Sequence, residues 1–483
     1  MAKKAFTVTS MNLTIEKVCA KVLEKVTPSP KEKERILKLA EELRKKVQVA
    51  AEDSKIKAGV RVEGSVAKNT WLSKEPDIDI FMRLPTTVPR EAFGTTILRI
   101  ARKATKGCRQ TERFAEHPYL EAFVDSVRVN IVPCYKVEKG EWKSATDRTP
   151  FHTDYIKPLL NEEMCGEIRL LKKFMKGIGV YGAEIKIGGF SGYLCELLTL
   201  NYGSFEKVLK SFSEWKGKTT IDYENHYQGR EREIGKIFEE PLVIVDPIDK
   251  GRNVAAAVRK ERLDEFIVAS RTFIQKPHLK FFYPRDRKAV NIEQLAHTLK
   301  TRDSALVFLK FGKLKAVPDI LWGQLYKTQR TIRTMLKQHE FNVIRDSVWS
   351  DEENASVLIF ELEQQILSNL KKHLGPPIEK RIECERFLRK HLGASLTVSG
   401  PRIEGGRWVV ETKRKHSDAV KLLNEKMKGR GKQRLILPNL IAESAKKDFE
   451  IMTNEECIKL YSSNPEFAKF LTEFLDGKPR WLK

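Results

Sequence analysis

Two acidic residues, Asp77 and Asp79, are separated by a single isoleucine, and a second isoleucine follows them. Because side chains two residues apart on a β-strand point to the same face, a strand here would bring both carboxylates together and turn Ile78 and Ile80 to the opposite side. Neighbouring carboxylates repel each other unless a cation lies between them, and Mg²⁺ is commonly held by one or two carboxylates together with substrate phosphates. The spacing therefore indicates a magnesium site that acts on a phosphorylated substrate.

A Gly-Ser pair, Gly64-Ser65, precedes the two aspartates, and the segment Asn69-Thr70-Trp71 lies between them. Backbone N–H groups of a tight turn, together with a serine hydroxyl, can bind phosphate oxygens. The Walker-type phosphate loop, Gly-x-x-x-x-Gly-Lys-Ser/Thr, does not occur in the sequence. An Asp-x-Asp pair or a Gly-Ser turn alone is common in solvated segments, but the ordered combination favours transfer of a nucleotidyl group.

The segments around these residues predict a small α/β catalytic domain that ends near residue 150. Ser29, Pro30 and Glu32 form a pattern typical of a helix start, and apolar residues at helical spacing follow them. The predicted elements are a helix over 29–53, strands over 59–63 and 77–84, a helix over 90–104, and a hairpin of strands 119–124 and 127–133 that turns at Asp125-Ser126.

The rest of the chain predicts an α+β multidomain protein. Residues 151–270 are mainly helical, with a turn at 246–249 and a helix beginning within 253–258. The next predicted elements are a strand over 307–311, a helix over 319–339, a strand pair over 341–349 and 355–362, a break at Gly375-Pro376-Pro377, and two basic helices that flank a hairpin around Gly405-Gly406. The β-α-β-β module within 276–365 is a candidate RNA-binding sheet.

The charge of the chain indicates a polyanionic partner. Its 483 residues include 89 basic and 65 acidic residues, a net charge of +24. Nucleic acid is favoured over a membrane surface, because neither a basic anchor helix, a lipidation motif nor an apolar span is evident. Seven scattered cysteines without a Cys-x-x-Cys motif predict a reducing, cytoplasmic location rather than disulfides or a zinc site.

A basic run near the C-terminal end has two interpretations. Five residues in the segment are basic and none is acidic: Lys426, Lys428, Arg430, Lys432 and Arg434. Such a run is either a solvated surface loop or a contact for RNA phosphates, and the charge of the whole chain makes the second interpretation at least as good.

Ordered motifs over nearly the whole length resemble those of a known family. They are GSVAKNTW (64–71), DIDIF (77–81), HPYL (117–120), VNIVPCY (129–135), DRTPFH (147–152), EIRLLKKF (167–174), VYGAEIK (180–186), GGFSGYLCELL (188–198), YGSF (202–205), VDPIDKGRNVAA (245–256) and NPEFAKFLTEFLDGKPRWL (464–482). This series resembles the archaeal-type (class I) CCA-adding enzymes, which are tRNA nucleotidyltransferases of the DNA polymerase β-like superfamily. Single motifs are weak to moderate signals, whereas the ordered set is a strong one.

The resemblance implies an architecture of head, neck, body and tail. The predicted domains are a nucleotidyltransferase head with a mixed sheet and helices (1–150), a helical neck for nucleotide selection (151–275), an RNA-binding α/β body (276–378), and a basic tail with C-terminal helices that return to the body (379–483). The implied partner is tRNA, bound at its acceptor stem and T arm. Whether one chain or a homodimer acts is left open.

The resemblance also implies a reaction and its residues. C, C and A would be added to the tRNA 3′ end from CTP and ATP, with release of pyrophosphate, by a Mg²⁺-dependent two-metal mechanism without a nucleic-acid template. In family terms, the metal ligands are Asp77 and Asp79, the triphosphate contacts are Gly64, Ser65, Lys68, Lys172 and Tyr181, and the region that reads the base contains Arg252 and Asn253. Lys68 stands where the family commonly has Arg, which keeps the charge but loses the bidentate fork.

Two positions depart from the family pattern. Asn130 stands where the family has a third aspartate, and its amide oxygen can bind a metal but carries no charge. Weaker metal binding that is tolerated is the favoured explanation; an inactivating change, or another acid that fills the gap, are the alternatives. Asp125 has the wrong strand parity for that role. The family often has two adjacent histidines after DRTP, and here His152 is followed by Thr153, with the uncharged threonine at a triphosphate position.

Two other functions compete with CCA addition. One is a related template-independent polymerase, such as a poly(A) polymerase or an oligoadenylate synthase. The other is a catalytically weakened tRNA-binding protein, an interpretation that Asn130 keeps open. The neck and tail motifs favour CCA addition over the first, because a poly(A) polymerase need not bind the elbow and acceptor stem of a tRNA.

Overall fold

The first described helices and a five-stranded sheet form the part of the fold that carries the acidic pair. In this computed structural model, residues 14–114, 116–428 and 435–482 are described. The elements up to the end of the sheet are α1 (Ile15–Val26), α2 (Pro30–Asp53), β1 (Gly59–Glu63), α3 (Gly64–Ala67), β2 (Asp77–Leu84), α4 (Thr96–Ala104), β3 (Arg109–Phe114), β4 (Pro118–Val124) and β5 (Val127–Tyr135).

The strand order of this sheet is β1-β2-β5-β4-β3. Strands β2 and β5 are parallel neighbours, whereas the other pairs are antiparallel. The isoleucines of β2 lie in a core with α2 and α4, because the alternation of β2 turns its apolar side chains toward those helices. The opposite face of the sheet carries the acidic pair.

A helical region follows the sheet in the chain. Its elements are α5 (Thr149–Ile156), α6 (Glu162–Ile178), α7 (Gly192–Tyr202), α8 (Phe205–Ser213), β6 (Thr219–Ile221), α9 (Glu231–Ile237), β7 (Leu242–Asp246), β8 (Asp249–Asn253) and α10 (Lys260–Gln275). Phe174 of α6 packs against five other phenylalanines: Phe205, Phe266, Phe273, Phe281 and Phe282. Near the end of the chain, Trp481 stacks on Phe281. Residues through Asp286 and the segment from Lys478 form one compact unit.

Residues Arg287–Gly477 form the second unit. Its elements are α11 (Ile292–Thr301), β9 (Ala305–Phe311), α12 (Pro318–Gln338), β10 (Val343–Ser350), β11 (Ser356–Leu362), β12 (Leu370–Pro377), α13 (Arg381–His391), β13 (Thr397–Glu404), β14 (Arg407–Lys413), α14 (Ala419–Lys428), α15 (Asn439–Lys447), β15 (Phe449–Thr453), α16 (Ile458–Ser463) and α17 (Pro465–Asp476). One sheet has the order β10-β11-β9-β15 and a smaller one the order β12-β14-β13. Residues of β9 and β11 contribute to two separate apolar clusters.

Most element predictions are confirmed, including the α+β class, the capped helix α2, both strands around the acidic pair and the hairpin that turns at Asp125-Ser126. The helix predicted from residue 253 is wrong: β8 ends at Asn253, and α10 begins at Lys260. The break predicted at Gly375-Pro376-Pro377 is also wrong. It is an irregularity in the register of the edge strand β12, a position where proline is tolerated.

Strand β3 was not predicted, because its six residues are mostly polar or charged. Residue Thr95 interrupts the helix predicted over 90–104. The proposed domain boundaries at 150, 275 and 378 stay predictions. Within the described ranges, no helix is both long and apolar enough to cross a bilayer.

Candidate active site

A row of polar side chains crosses one face of the five-stranded sheet. The strand register pairs Asp79 with Glu63 on β1 and with Asn130 on β5, and it pairs Asn130 with Glu121 on β4. Residues paired in register share a face, so these side chains lie in one row. Ile78 is fully buried on the opposite face, as the spacing of the two aspartates predicted.

Gly64 brings the Gly-Ser turn directly against the acidic pair. Its φ is +71°, and a Cβ atom at this position would lie 2.1 Å from Asp79 Oδ2. Glycine is therefore required twice, for its left-handed backbone and for the close approach. Ser65 follows within the short helix α3 and is half-buried. The turn and the carboxylates consequently form one site, as a phosphate-binding function needs.

The two aspartates have different partners. Arg128, the register partner of Asp77, donates from Nε to Asp77 Oδ1 (2.8 Å) and from Nη2 to Oδ2. Asn130 donates from Nδ2 to Asp79 Oδ1 (2.9 Å). Burial raises the pKa of Asp79 to about 6, although the hydrogen bond from Asn130 acts in the opposite direction. The Asp77–Arg128 pair is partly exposed, with 38% and 46% of the two side chains accessible.

These residues fit a divalent cation with one adjustment. Asp77 and Asp79 offer carboxylate oxygens on one face beside Gly64, which matches the preference of Mg²⁺ for oxygen ligands. Arg128 would have to release Asp77, and its exposure makes that movement inexpensive. Asn130 lies next to Asp79, where the sequence placed it, but it adds no charge.

Of the acids near Asn130, neither Glu121 nor Asp125 replaces the missing third carboxylate. Glu121 lies across from Asn130, but its Oε1 accepts from Arg113 Nη2 (2.9 Å). Asp125 occupies the turn before β5, with φ +48°, as the hairpin predicted at Asp125-Ser126 implied. Neither Glu121 nor Asp125 therefore supports the alternative that another acid supplies the third carboxylate.

Two predicted triphosphate contacts meet on a single buried acid, Glu196 of α7. Lys68 Nζ lies 2.5 Å from Glu196 Oε2, and Lys172 Nζ lies 3.1 Å from Oε1. The hydroxyl of Thr70 also donates to Oε1 (2.7 Å). Burial alone would raise the pKa of Glu196, but the two lysines hold it at about 2. Burial lowers the pKa of Lys172, and Glu196 acts in the opposite direction. While both lysines are protonated, two ammonium groups face one carboxylate, and the cluster carries positive charge.

The Tyr181 hydroxyl and Lys172 of this cluster both lie close to Gly192. A Cβ atom at Gly192 would lie 3.0 Å from the Tyr181 hydroxyl and 3.7 Å from Lys172 Nζ. The phenol and the ammonium group, nine residues apart in sequence, therefore both lie close to one glycine. A side chain at residue 192 would crowd both.

A second buried acid, Asp246, organises the region around the predicted base-reading residues. Its Oδ2 lies 2.9 Å from His152 Nε2 and 2.6 Å from Arg252 Nη1, and the Tyr193 hydroxyl donates to Oδ1 (3.2 Å). The imidazole of His152 stacks on Tyr193 at 4.0 Å between ring centroids. Burial would raise the pKa of Asp246, but His152 and Arg252 hold it at about 2. Arg252 is thus fixed at one nitrogen and still partly exposed.

Asn253 and Thr153 are placed differently from Arg252. The amide oxygen of Asn253 accepts from the N–H groups of Ile244 and Ala255, and its Nδ2 donates to Leu242 O. Its side chain therefore holds backbone in place beside Arg252. Thr153 is buried next to Glu63. Burial raises the pKa of Glu63 to about 7.

The structure adds Arg128, Glu196 and Asp246 to the candidate site. Arg128 had a signal, because it lies two residues before Asn130 on the same strand and shares its face. Glu196 and Asp246 lie within motifs that the sequence singled out, but nothing in the motifs indicates which cations they bind. Of the basic run, Lys426 is half-buried and Lys428 is exposed, whereas Arg430, Lys432 and Arg434 lie outside the described residues.

Three family sequence patterns match the chain in order. They are the nucleotidyltransferase domain (36–152), the second domain of tRNA nucleotidyltransferase (166–283) and the C-terminal domain of CCA-adding enzyme (302–454). The CCA-adding enzyme of Methanosarcina barkeri is 38% identical over 445 residues, which cover 91% of this chain and 94% of that enzyme. The CCA-adding enzyme of Methanothermobacter thermautotrophicus is 35% identical over 458 residues, which cover 94% and 97%.

Proposed function

The chain belongs to the family of CCA-adding enzymes, and from that premise we propose how its residues carry out tRNA nucleotidyl transfer. As a member, it adds C, C and A to the 3′ end of tRNA from CTP and ATP and releases pyrophosphate. The observation that carries the assignment of the site is the contact between the Gly-Ser turn and Asp79. It joins a phosphate-binding turn to a metal-binding carboxylate.

Asp77 and Asp79 would hold the divalent metal that nucleotidyltransferases use, and Mg²⁺ is the proposed ion. Bound there, it would neutralise charge on the reacting phosphates and lower the pKa of the attacking 3′-hydroxyl. Asn130 contributes no charge, so the two aspartates account for the negative charge of the proposed ligands. Arg128, once released from Asp77, is a cation at the rim of the site.

Lys68, Lys172 and Ser65 are the proposed triphosphate contacts. Glu196 holds both lysines in fixed positions, and the excess positive charge of the cluster attracts the polyphosphate. His152 is proposed to act through Asp246, which it shares with Arg252. Arg252 keeps unpaired donors on the exposed side of its guanidinium, and these are the proposed contacts to the base edge.

The proposed RNA contacts are the acceptor stem and T arm of tRNA. The net charge of +24 supports binding to a polyanion, and Lys428 is exposed near the end of α14. A cytoplasmic location is proposed from the tRNA substrate and from seven free cysteines. The domain pattern over 302–454 favours CCA addition over a poly(A) polymerase.

Incubation with a tRNA transcript that lacks its CCA end, Mg²⁺ and labelled CTP and ATP tests the proposal. We expect the product to grow by C, C and A and then stop. Continued addition of A would instead assign a poly(A) polymerase activity. Binding of the transcript without incorporation would contradict the proposed catalytic roles, and replacing Mg²⁺ by Mn²⁺ or Ca²⁺ identifies the metal that the site uses.

A further inference from the structure

A pocket in the second unit is lined by four histidines that the catalytic site does not use. They are His339 at the end of α12, His373 on β12, His391 at the end of α13 and His416 after β14. The pocket has a volume of roughly 430 Å³ and is open to solvent on one side. That volume falls within the range of small-ligand sites.

Two imidazole nitrogens in this pocket have no hydrogen-bond partner. They are Nε2 of His391 and Nε2 of His416, both buried atoms in side chains that are 8% exposed. Buried polar atoms in folded proteins are almost always hydrogen-bonded, because an unpaired one loses its hydration without compensation. Two such atoms in one pocket point to a ligand that supplies the missing partners.

The surroundings of the rings indicate that the pocket presents acceptors. His339 Nδ1 lies 2.9 Å from Met335 O, which can only accept, so this nitrogen carries the hydrogen and leaves Nε2 as an acceptor. His416 Nδ1 lies 3.6 Å from Glu425 Oε2, too far for a hydrogen bond but close enough for the carboxylate to favour the hydrogen on Nδ1. Burial, helped by neighbouring histidines and lysines, lowers the pKa values of His391 and His416, although Glu425 acts in the opposite direction at His416. The lowered values favour neutral rings. A neutral Nε2 acceptor requires a donor such as a hydroxyl group.

Cationic side chains line the same pocket. Glu340 binds Arg414 and, at 2.5 Å, Lys371, so that one carboxylate serves two cations and these three groups keep one excess positive charge. Lys390 and Lys413 also line the pocket, and among the described residues no carboxylate lies within ion-pair distance of either one. The pocket therefore combines hydrogen-bond acceptors with cations that are available to an anion.

We propose that this pocket binds one ribonucleotide of the tRNA backbone, with the ribose 2′-hydroxyl donating to one of the two unpaired imidazole nitrogens and the phosphate bound by Lys390 and Lys413. The 2′-hydroxyl is the donor that distinguishes RNA from DNA, and phosphate contacts with lysine are the usual source of affinity. This inference depends on the proposed function in one respect, namely that the bound RNA is tRNA. It assigns a site outside the catalytic unit.

Acylation of the 2′-hydroxyls of a tRNA transcript tests the proposal directly. The double variant His391→Phe/His416→Phe keeps two rings but removes both acceptors, and His297→Phe on the exposed face of α11 is the matched control. We expect wild type and the control to protect at least one nucleotide that the double variant leaves reactive. Identical footprints for all three proteins would overturn the proposal.

The affinity for the transcript provides a second measurement, and a second double variant controls for a folding defect in the Phe variant. His391→Gln/His416→Gln retains an acceptor at each position and should keep most of the affinity, whereas the Phe pair should bind the transcript about tenfold more weakly. The preference for RNA over DNA of the same sequence should fall with it, while the KM for CTP stays unchanged. Equal loss for RNA and DNA, or imidazole ¹⁵N resonances that shift with pyrophosphate or CTP but not with tRNA, would contradict the assignment.

The outcomes separate this proposal from the catalytic one. A protein that protects the transcript through its histidines but adds no nucleotide would retain the pocket and refute the proposed catalytic roles. A protein that adds CCA, but whose footprint on the transcript does not depend on the histidines, would refute only the proposed RNA-binding role of the pocket. If the transcript does not bind at all, both fail.

Discussion

The row of polar side chains on the five-stranded sheet, which includes Asp79 and lies beside Asp77, and the Glu196 cluster on α7 both combine acids with bases. The two sites differ in how far their charged groups are exposed. Asp77 is countered by Arg128, and both side chains are partly exposed. Glu196 is 1% exposed and is bound by Lys68, Lys172 and Thr70. The first pair can exchange a protein partner for a ligand at little cost, whereas the second cannot lose a partner without leaving a buried charge.

The difference indicates a division of labour within the site. The partly exposed Asp77 can exchange Arg128 for a metal beside Asp79, whereas the buried carboxylate of Glu196 keeps two lysines in place whether or not a nucleotide is bound. Substitution of Asp77 or Asp79 should therefore alter catalysis with little effect on stability, and substitution of Glu196 should alter stability first.

Asp79→Asn should have the largest effect on catalysis. Removing one of only two carboxylates should lower kcat/KM for CTP by about 10³-fold, since metal stabilisation of the transition state contributes several kcal/mol. Stability should not fall, because burial already disfavours the charged form of Asp79. Single-turnover incorporation and thermal unfolding measure the two quantities. Asp53→Asn, on the surface of α2, is the control, and equal activities would show that the row of polar side chains is not the metal site.

Glu196→Gln should destabilise the protein by about 3 kcal/mol, because two buried ammonium groups would face a neutral amide. Urea unfolding gives the free energy difference. Glu206→Gln removes an exposed i, i+4 pair with Lys210 and should cost less than about 1 kcal/mol. If the two variants unfold alike, the buried cluster does not have the structural role assigned to it.

The pH dependence of stability tests whether burial raises the pKa of Glu63. Its pKa is raised to about 7, so its stabilising protonated form is fully present below the ordinary value of 4.5 and is lost as the pH rises through 7. Glu63→Gln stays neutral and should gain about 2 kcal/mol over wild type between pH 5 and pH 8. Unfolding at both pH values, in EDTA to exclude metal effects, measures the gain. A difference that is independent of pH would contradict the raised pKa.

The sequence was sufficient where a short-range rule decides the outcome. The same face for Asp77 and Asp79 and the placement of Asn130 beside them follow from the two-residue repeat of a strand. Lys172 and Tyr181 were identified through motifs, although their meeting at Gly192 depends on the loop that joins α6 and α7.

Contacts between distant segments could not be predicted in this way. Lys68 and Glu196 meet because α7 packs near the turn that follows α3, and the pairing of Arg252 with Asp246 depends on the reversal between β7 and β8. Asn253 illustrates the limit of motif-based roles, since its amide is committed to backbone groups that only the fold brings together. Tertiary packing sets these partners, and periodicity carries no information about them.

Asn130→Asp should produce the smallest and most specific effect. A carboxylate at this position would add charge beside Asp79, so half-maximal incorporation should need about tenfold less Mg²⁺, which corresponds to roughly 1.4 kcal/mol of binding free energy. The same substitution would replace the amide donor to Asp79 with a like charge, and the variant should be less stable in EDTA than in Mg²⁺. Asn225→Asp, in an exposed turn, adds the same charge elsewhere and should leave the Mg²⁺ dependence unchanged. A Mg²⁺ titration that is identical for Asn130→Asp and wild type would mean that residue 130 is not a metal ligand, and that the two aspartates bind the ion without it.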